Sequence, residues 1–282
     1  MDQTSPRIGV DGGGTACRAA LWLDGVRYES RLGPANVSTD FGAALATIRA
    51  ALDDLAAQAG VPTGALAGVP AHLGLAGVTG GAVAERVAAS LPLRRCAVTD
   101  DRPTSIVGAL GDRDGAVAAI GTGSFIGRQH GGRISGVGGW GLQLGDQAAG
   151  AWLARRCLEE TMLSIDGLRD PTGLTRAMLA GHGGDPGAIV AFAAGARPAD
   201  YARLAGEIVA AAEAGDPLGA ALMDEGAAYI AAALDRLGWR DGEPLVLMGG
   251  LGPAYARWAG RTTEAPVGSA LDGALVLAGR VP

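Results

Sequence analysis

Two glycine-rich loops, each directly after a short apolar strand pattern, constrain the fold of this chain more than any other feature. The first loop, Asp11–Thr15 (DGGGT), follows Ile8–Val10, and the second, Gly121–Ser124 (GTGS), follows Ala116–Ile120. Two further strand patterns, joined by a tight-turn signal, come after each loop, and helical patterns come after those. We therefore expect a duplicated α/β unit with both loops at strand ends around a central cleft, where ligands usually bind.

The other elements follow from hydrophobic periodicity and from capping signals. We place the domain boundary so that residues 1–110 form an N-terminal domain and residues 111–282 a C-terminal domain. The predicted helices are a long one from Thr39 or Asp40 to Gly60, then Val83–Leu91, one starting at Pro103, Gln147–Glu160, most of 161–240, and Ala270–Ala278. The later predicted strands are Leu73–Ala76, Cys96–Thr99 and Leu245–Met248.

Lysine is absent from the sequence, so all 23 basic residues are arginine. A P-loop lysine, a Schiff-base lysine and a protein-kinase strand lysine are therefore excluded. If the chain handles nucleotide phosphates, backbone N–H groups, hydroxyls and a metal ion must bind them. The formal net charge of −6 argues against a nucleic-acid partner, because no basic stripe is present to neutralise phosphates.

Cysteine spacing and terminal composition indicate a reducing setting. Cys17, Cys96 and Cys157 are odd in number and far apart, which favours small buried residues over a zinc site or a disulfide framework. The start of the chain is polar and no apolar run approaches 18 residues, so we expect neither a signal peptide nor a membrane span. The expected location is the cytoplasm. The sequence leaves open whether the protein forms a homodimer.

Two further motifs complete a recognisable set. Leu247–Gly250 (LMGG) ends the late strand, and Gly138–Gly141 (GGWG) is followed by Gly145-Asp146. The two glycine loops and these two motifs follow one another along the chain as in a known family. In sequence and order they resemble the motifs of the N-acetylglucosamine and glucosamine kinases of the BadF/BadG/BcrA/BcrD group, in the actin, hexokinase and heat-shock-70 ATPase superfamily. The resemblance implies two ribonuclease-H-like domains. It also implies Mg²⁺-dependent transfer of phosphate from ATP to the 6-hydroxyl of an amino sugar.

The resemblance also implies which residues bind ATP and the metal. Asp11 would hold Mg²⁺, directly or through water. The ATP-binding residues would be Gly12, Gly13, Gly14, Thr15, Thr122, Gly123, Ala212, Gly249 and Gly250. Taken alone, DGGGT is equally compatible with a plain hairpin turn, and an alanine such as Ala212 is usually a packing residue.

A sugar kinase needs a general base near the attacking hydroxyl, and a carboxylate at a strand end suits this role. Asp100 and Asp101 both follow the Cys96–Thr99 strand. Alignment of Ser105 and Ile106 with the small-residue helix of the family favours Asp101 as the catalytic base. The alternative for either carboxylate is a helix cap next to Pro103.

The implied sugar-binding residues are Asn36, Asp101, Ser124, Gly139, Trp140 and Asp146. An ordinary loop turn remains the alternative for Asn36, core packing for Trp140 and a helix cap for Asp146. The family reads Gly-Asp-Glu-Gly-Ser where this chain has Gly145-Asp-Gln-Ala-Ala149, so glucosamine and N-acetylglucosamine both stay open. The alternative functions are an ATPase of the same fold that is coupled to a protein partner, as in dehydratase activators, and a catalytically silent ligand sensor.

Overall fold

The computed structural model describes residues 5–282, which form two compact units. The first unit contains residues up to Asp114, Gln129–Ile134 and Pro266–Pro282, and the second contains Gly115–Arg128 and Ser135–Ala265. The first crossing between units, after residue 114, lies near the predicted boundary at 110. The final 17 residues, however, pack with the first unit, whereas we expected them in the C-terminal domain.

The first unit is built on a five-stranded mixed sheet. Its strands are β1 (Arg7–Gly12), β2 (Cys17–Leu23), β3 (Val26–Leu32), β4 (Ala71–Leu75) and β5 (Cys96–Thr99). The spatial order is β3-β2-β1-β4-β5, with antiparallel pairing from β3 to β1 and parallel pairing from β1 to β5. The carboxyl ends of β1, β4 and β5 therefore lie at the same edge of the sheet.

Helices cover this sheet with a continuous apolar core. They are α1 (Phe41–Gln58), a 3-10 helix (Thr63–Gly68), α2 (Gly81–Ala89), α3 (Asp101–Leu110) and, from the end of the chain, α11 (Ala270–Ala278). The apolar face of α1, including Ile48 and Leu52, is fully buried. Helix α11 can approach α3 and β1 closely because glycine is present at the contacts. A Cβ atom at Gly9 would lie 2.7 Å from the Leu275 nitrogen, and one at Gly108 would overlap the Ser269 carbonyl.

The second unit repeats the opening pattern in a four-stranded sheet. Its strands are β6 (Gly115–Ile120), β7 (Ser124–His130), β8 (Arg133–Gly138) and β9 (Leu245–Met248), in the order β8-β7-β6-β9. The tip of the β7–β8 hairpin, Gln129–Ile134, packs with the first unit. Strands β6 and β9 are parallel, so the loop after each one starts at the same sheet edge.

The helices of the second unit form a separate core. They are α4 (Gly150–Ile165), α5 (Gly173–Gly181), α6 (Pro186–Gly195), α7 (Pro198–Ala202), α8 (Ala205–Glu213), α9 (Pro217–Arg236) and α10 (Gly252–Trp258). Trp152 and Leu153 of α4, Ile208 of α8 and Leu234 of α9 are all buried in this core. Within residues 5–282, no helix combines the length and the apolar character that a membrane crossing requires.

The α/β class and most predicted elements are confirmed, and three helix starts differ. Helix α2 starts at Gly81 rather than at Val83. Helix α4 starts at Gly150 rather than at Gln147, because Asp146 and Ala148 adopt positive φ angles of 59° and 69° that a helix cannot contain. Helix α3 starts at Asp101, two residues before Pro103. A proline is tolerated there because the N–H groups of the first helical turn have no intrahelical acceptor.

Candidate active site

The first glycine loop connects β1 to β2 at the edge where the parallel strands end. The Gly13 N–H donates to the Ala16 carbonyl at 2.9 Å, and the Gly13 carbonyl accepts from the Ala35 N–H at 2.9 Å. Gly14 and Thr15 between these bonds are exposed to solvent. A Cβ atom at Gly14 would meet no atom within 4 Å, so the loop leaves open space above its backbone. Such a loop can bring N–H groups close to a phosphate.

Asp11, the predicted metal ligand, is buried at the end of β1. Its carboxylate pairs with the Arg18 guanidinium at 2.5 Å, because residues 11 and 18 face each other across the β1–β2 ladder. Burial raises the pKa of Asp11, and the Arg18 charge acts in the opposite direction. One carboxylate suits Mg²⁺, since this ion keeps several waters and takes its other ligands from phosphates. Asp11 would then share its carboxylate between the metal and Arg18.

The two adjacent carboxylates after β5 differ sharply in their surroundings. Asp100 is the N-cap of α3: it accepts from the Arg102 N–H at 2.9 Å and pairs side-on with the Arg102 guanidinium at 2.7 and 3.0 Å. Despite burial, these contacts lower the pKa of Asp100. Asp101 is the first residue of α3, and in the described part of the chain its carboxylate has no ion-pair partner. Burial, followed by the charges of Asp100 and Asp11, raises the pKa of Asp101.

Asn36, the predicted sugar ligand of the first unit, lies in the loop between β3 and α1. Its Oδ1 atom accepts from the Ser38 N–H at 2.9 Å, from the Ser38 hydroxyl at 2.8 Å and from the Thr39 N–H at 3.3 Å. The oxygen is therefore engaged in a turn, as the structural alternative for this residue required. The side-chain NH₂ group remains as a donor for a ligand.

The second glycine loop is tied to the start of α4. The Gly121 carbonyl accepts from the Gly150 N–H at 2.8 Å, and the Thr122 carbonyl accepts from the Ala151 N–H at 3.3 Å. Thr122 itself is exposed, so its hydroxyl is accessible to a nucleotide. The Ser124 hydroxyl, in contrast, is buried and donates to the Gln147 carbonyl at 2.6 Å. Ser124 therefore fixes the neighbouring segment and offers little to a ligand directly.

The segment from Gly138 to Asp146, named here the Trp140 loop, presents a polar and an aromatic group. Trp140 is 70% exposed, and its side chain lines a pocket of about 450 Å³. Asp146 is only 7% exposed, and its carboxylate accepts from the Gly141 N–H at 3.1 Å. Burial raises the pKa of Asp146. The helix cap considered as an alternative for Asp146 is wrong, because α4 begins after Ala149.

Gly249 follows β9 and lies directly beside the second glycine loop. Its φ is +84°, and a Cβ atom there would overlap the Ile120 carbonyl, so only glycine fits. Gly249 and Gly250 are exposed. Ala212 is buried inside α8, where it packs against Gly219 of α9, so its side chain serves the core. Gly139 is exposed, with a φ of +75°.

The cysteines lie in packing positions. Cys17 and Cys157 are buried, Cys96 is half-buried, and burial raises the pKa of each thiol, to about 12 for Cys17 and Cys157 and about 11 for Cys96. Among residues 5–282, no group of three or more His, Cys, Asp or Glu side chains is arranged to bind a metal ion. A Mg²⁺ ion at Asp11 would therefore depend on water and phosphate for its remaining ligands.

Sequence reasoning missed three residues that contact the candidate site. Arg18 pairs with Asp11 and Arg102 pairs with Asp100. Tyr229, on α9, brings its hydroxyl against Gly138 at the start of the Trp140 loop. The alternation of β2 could have indicated Arg18, since a charged residue opposite Asp11 follows from the hairpin register. Nothing in the local sequence around Tyr229 signals its contact, which depends on how α9 packs.

The family model described as the BadF/BadG/BcrA/BcrD ATPase family matches residues 8–258. The chain belongs to this family. It is 30% identical to the glucosamine kinase GspK of Vibrio cholerae over 287 residues, which cover 97% of this chain and 95% of that protein. The resemblance inferred from the motifs is thus confirmed, and these relationships support an ATP-dependent sugar kinase.

Solved structures agree with the fold. A crystal structure from Chromobacterium violaceum, of a protein proposed to be an N-acetylglucosamine kinase, superposes with a TM-score of 0.80 at 33% identity and covers 98% of this chain and 99% of its own. A second such protein, from Porphyromonas gingivalis, gives a TM-score of 0.67 at 21% identity, with 96% and 97% covered. The predicted ribonuclease-H-like fold is confirmed.

Proposed function

We propose that this chain transfers the γ-phosphoryl group of ATP to the 6-hydroxyl of an amino sugar, either glucosamine or N-acetylglucosamine. The observation that carries the proposal is the contrast between Asp100 and Asp101. Asp100 is neutralised by Arg102, whereas Asp101 is half-buried, unpaired among the described residues and has a raised pKa. A general base requires an available carboxylate whose proton affinity is increased, and Asp101 alone of the pair meets this requirement.

The proposed reaction is an in-line displacement. As the sugar oxygen attacks the γ-phosphorus, Asp101 accepts the hydroxyl proton; the new O–P bond forms while the bond from the γ-phosphorus to the β-γ bridging oxygen breaks, and ADP leaves. The N–H groups of Gly14 and Gly123, with the hydroxyls of Thr15 and Thr122, bind the phosphates, whereas the Gly13 N–H is used within the loop. Mg²⁺ at Asp11, when bound, supplies neutralising charge, which no lysine of this chain can provide.

The proposed sugar-binding residues supply a hydrogen-bond donor, a hydrogen-bond acceptor and an aromatic face. The Asn36 NH₂ group donates to a ring hydroxyl, and the buried Asp146 carboxylate accepts from another. The exposed Trp140 indole offers a flat face to the apolar side of the ring. The Asp146 carboxylate would also attract the nitrogen-bearing 2-substituent of an amino sugar, which glucose lacks. Sites that hydrogen-bond a substrate group reject analogues without that group, so an amino sugar is expected to be preferred over glucose.

The test is ADP release over a panel of glucosamine, N-acetylglucosamine, mannosamine, glucose and no sugar, with the product's phosphorylation site identified by NMR. We expect an amino sugar to give the highest kcat/KM and phosphorylation at the 6-hydroxyl. Asp101→Asn should lower kcat by about 10²- to 10⁴-fold. The matched control, Asp100→Asn, retains the adjacent free carboxylate and should keep most of the activity. Sugar-independent ATP hydrolysis at the same rate, or loss of activity in Asp100→Asn alone, would contradict the proposal.

A further inference from the structure

The Trp140 loop is rich in glycine, and hydrogen bonds of its own, such as the one from the Gly145 N–H to the Gly141 carbonyl at 2.8 Å, restrict part of it. Gly138, Gly139 and Gly141 all have φ angles between +75° and +84°, a region open to few other residues. Glycine loses more conformational freedom on ordering than any other residue. A loop of this kind binds a small ligand well only if the fold has already restricted it.

Tyr229 makes a contact at the first residue of this loop. Gly138 is buried, and a Cβ atom there would lie 2.7 Å from the Tyr229 hydroxyl, so the hydroxyl occupies the space that glycine leaves. Tyr229 belongs to the 20-residue helix α9, whose buried residues Met223, Gly226 and Ile230 attach it to the core of the second unit. The phenol is therefore anchored to the core of the second unit at the point where it meets the loop.

The same hydroxyl lies within the electrostatic influence of the other end of the loop. Burial and the negative charge of Asp146 both raise the pKa of Tyr229. Asp146 in turn accepts from the Gly141 N–H in the middle of the loop. Tyr229 thus contacts the start of the loop, and its phenol lies close enough to the end of the loop to sense the charge of Asp146.

We propose that Tyr229 is a positioning residue that fixes the Trp140 loop in the conformation that binds the sugar. The proposal rests on the proposed function, because it assumes that Trp140 and Asp146 contact the sugar. Tyr229 does not take part in the chemical step. Its loss should therefore weaken sugar binding and leave the ATP site of the second unit, at Thr122 and Gly249, unaffected.

The main test is Tyr229→Phe, which removes the hydroxyl and keeps the ring. The lost packing contact should raise the sugar KM by about 5- to 10-fold, within the range of interaction energies of residues in contact, with the ATP KM and kcat within twofold of wild type. Tyr255→Phe is the matched control. Its hydroxyl contacts the same helix at Gly226, remote from the loop in sequence, and has no hydrogen-bond partner among the described residues. This control should leave the sugar KM unchanged.

A double-mutant cycle separates positioning from general destabilisation. Gly138→Ala pushes a methyl group against the Tyr229 hydroxyl and should raise the sugar KM more than Tyr229→Phe does. In the double variant the hydroxyl is gone, so part of this loss should be recovered. Additive losses, or equal changes in the sugar and ATP KM values with a lowered Tm, would overturn the proposal, since both results describe a structural residue only.

A spectroscopic measurement keeps the two proposals distinguishable. Trp140 fluorescence, obtained by subtracting a Trp140→Phe background, should become more accessible to acrylamide in Tyr229→Phe, whether or not sugar is turned over. If wild-type protein phosphorylates no amino sugar but the accessibility changes, the proposed function fails and the positioning role remains. If amino sugars are phosphorylated and neither the accessibility nor the sugar KM changes, the positioning role is refuted alone.

Discussion

Gly123→Ala should disable sugar recognition through a residue of the phosphate loop. A Cβ atom at position 123 would lie 2.7 Å from Oδ2 of Asp146, closer than carbon and oxygen approach without a bond, so the carboxylate must move by several tenths of an ångström. Asp146 holds its hydrogen bond from the Gly141 N–H at 3.1 Å, near the long limit for such bonds. The displacement should therefore break it.

The magnitude follows from that hydrogen bond. A hydrogen bond to a charged group contributes about 1.5–3 kcal/mol, which corresponds to a loss of about 10- to 150-fold in kcat/KM for the sugar. The backbone itself tolerates the change, since Gly123 is not among the glycines with positive φ. Gly121→Ala is the control in the same loop, because its Cβ atom would meet nothing within 4 Å.

The assay is steady-state kinetics with sugar and ATP varied independently, together with Asp146→Ala and the double variant. If Gly123→Ala acts through Asp146, the double variant should be no worse than Asp146→Ala alone, because coupled residues are not additive. An ATP KM that rises while the sugar KM stays at the wild-type value would refute the reasoning. An equal effect of Gly121→Ala would refute it as well.

The remaining predictions concern the first unit. Asp101 must be ionised to act as a base, and its pKa is raised. On acidification, kcat/KM should therefore start to fall at a higher pH than it would for a base with the ordinary pKa of Asp. A pH–rate profile checks this. A raised folded-state pKa means that ionisation of Asp101 destabilises the fold. Asp101→Asn should therefore raise Tm at neutral pH, and the difference should vanish below the ordinary Asp pKa of 3.8. Chelation of Mg²⁺ should abolish turnover, and Asp11→Asn should raise the Mg²⁺ concentration needed for half-maximal rate; full activity after exhaustive chelation would contradict the proposed role of Asp11.

The elements that were predictable from sequence are those with a local signal. Buried strands such as Leu245–Met248 are continuous apolar runs that end in glycine, and the structure places this strand as expected. Helix α11 was also predicted with its correct bounds, and the structure shows a local start signal there, a capping box formed by Ser269 and Asp272. Its assignment to the first unit was not predictable. That placement depends on close approach at Gly9 and Gly108, which are distant from α11 in sequence.

Which side chains pair with each other in the candidate site could not be predicted from the sequence either. The sequence favoured Asp101 over Asp100 through a resemblance, and the reason for the difference became visible in the turn before α3. There the N-cap conformation brings the Arg102 guanidinium back onto Asp100, a contact over two residues that helical periodicity does not describe. Likewise, the turn made by Asn36 depends on the N–H groups of Ser38 and Thr39, which only the folded loop directs at one oxygen.

The departure of this chain from the family at residues 147–149 changes charge more than shape. Hydrogen bonds to backbone atoms of this segment do not depend on which side chains residues 147–149 carry. The Gln147 carbonyl accepts from the Ser124 hydroxyl, and the Ala149 N–H donates to the Asp146 carbonyl at 3.0 Å. Ala148 keeps a φ of 69°, a conformation that costs an alanine about 1 kcal/mol relative to the glycine of the family. The replaced glutamate has a different consequence, because the neutral Gln147 leaves Asp146 as the sole negative charge of the Gly145–Ala149 segment. If Asp146 contacts the sugar as proposed, attraction for a sugar ammonium group would be reduced and hydroxyl recognition kept, so the panel must include both glucosamine and its N-acetyl form.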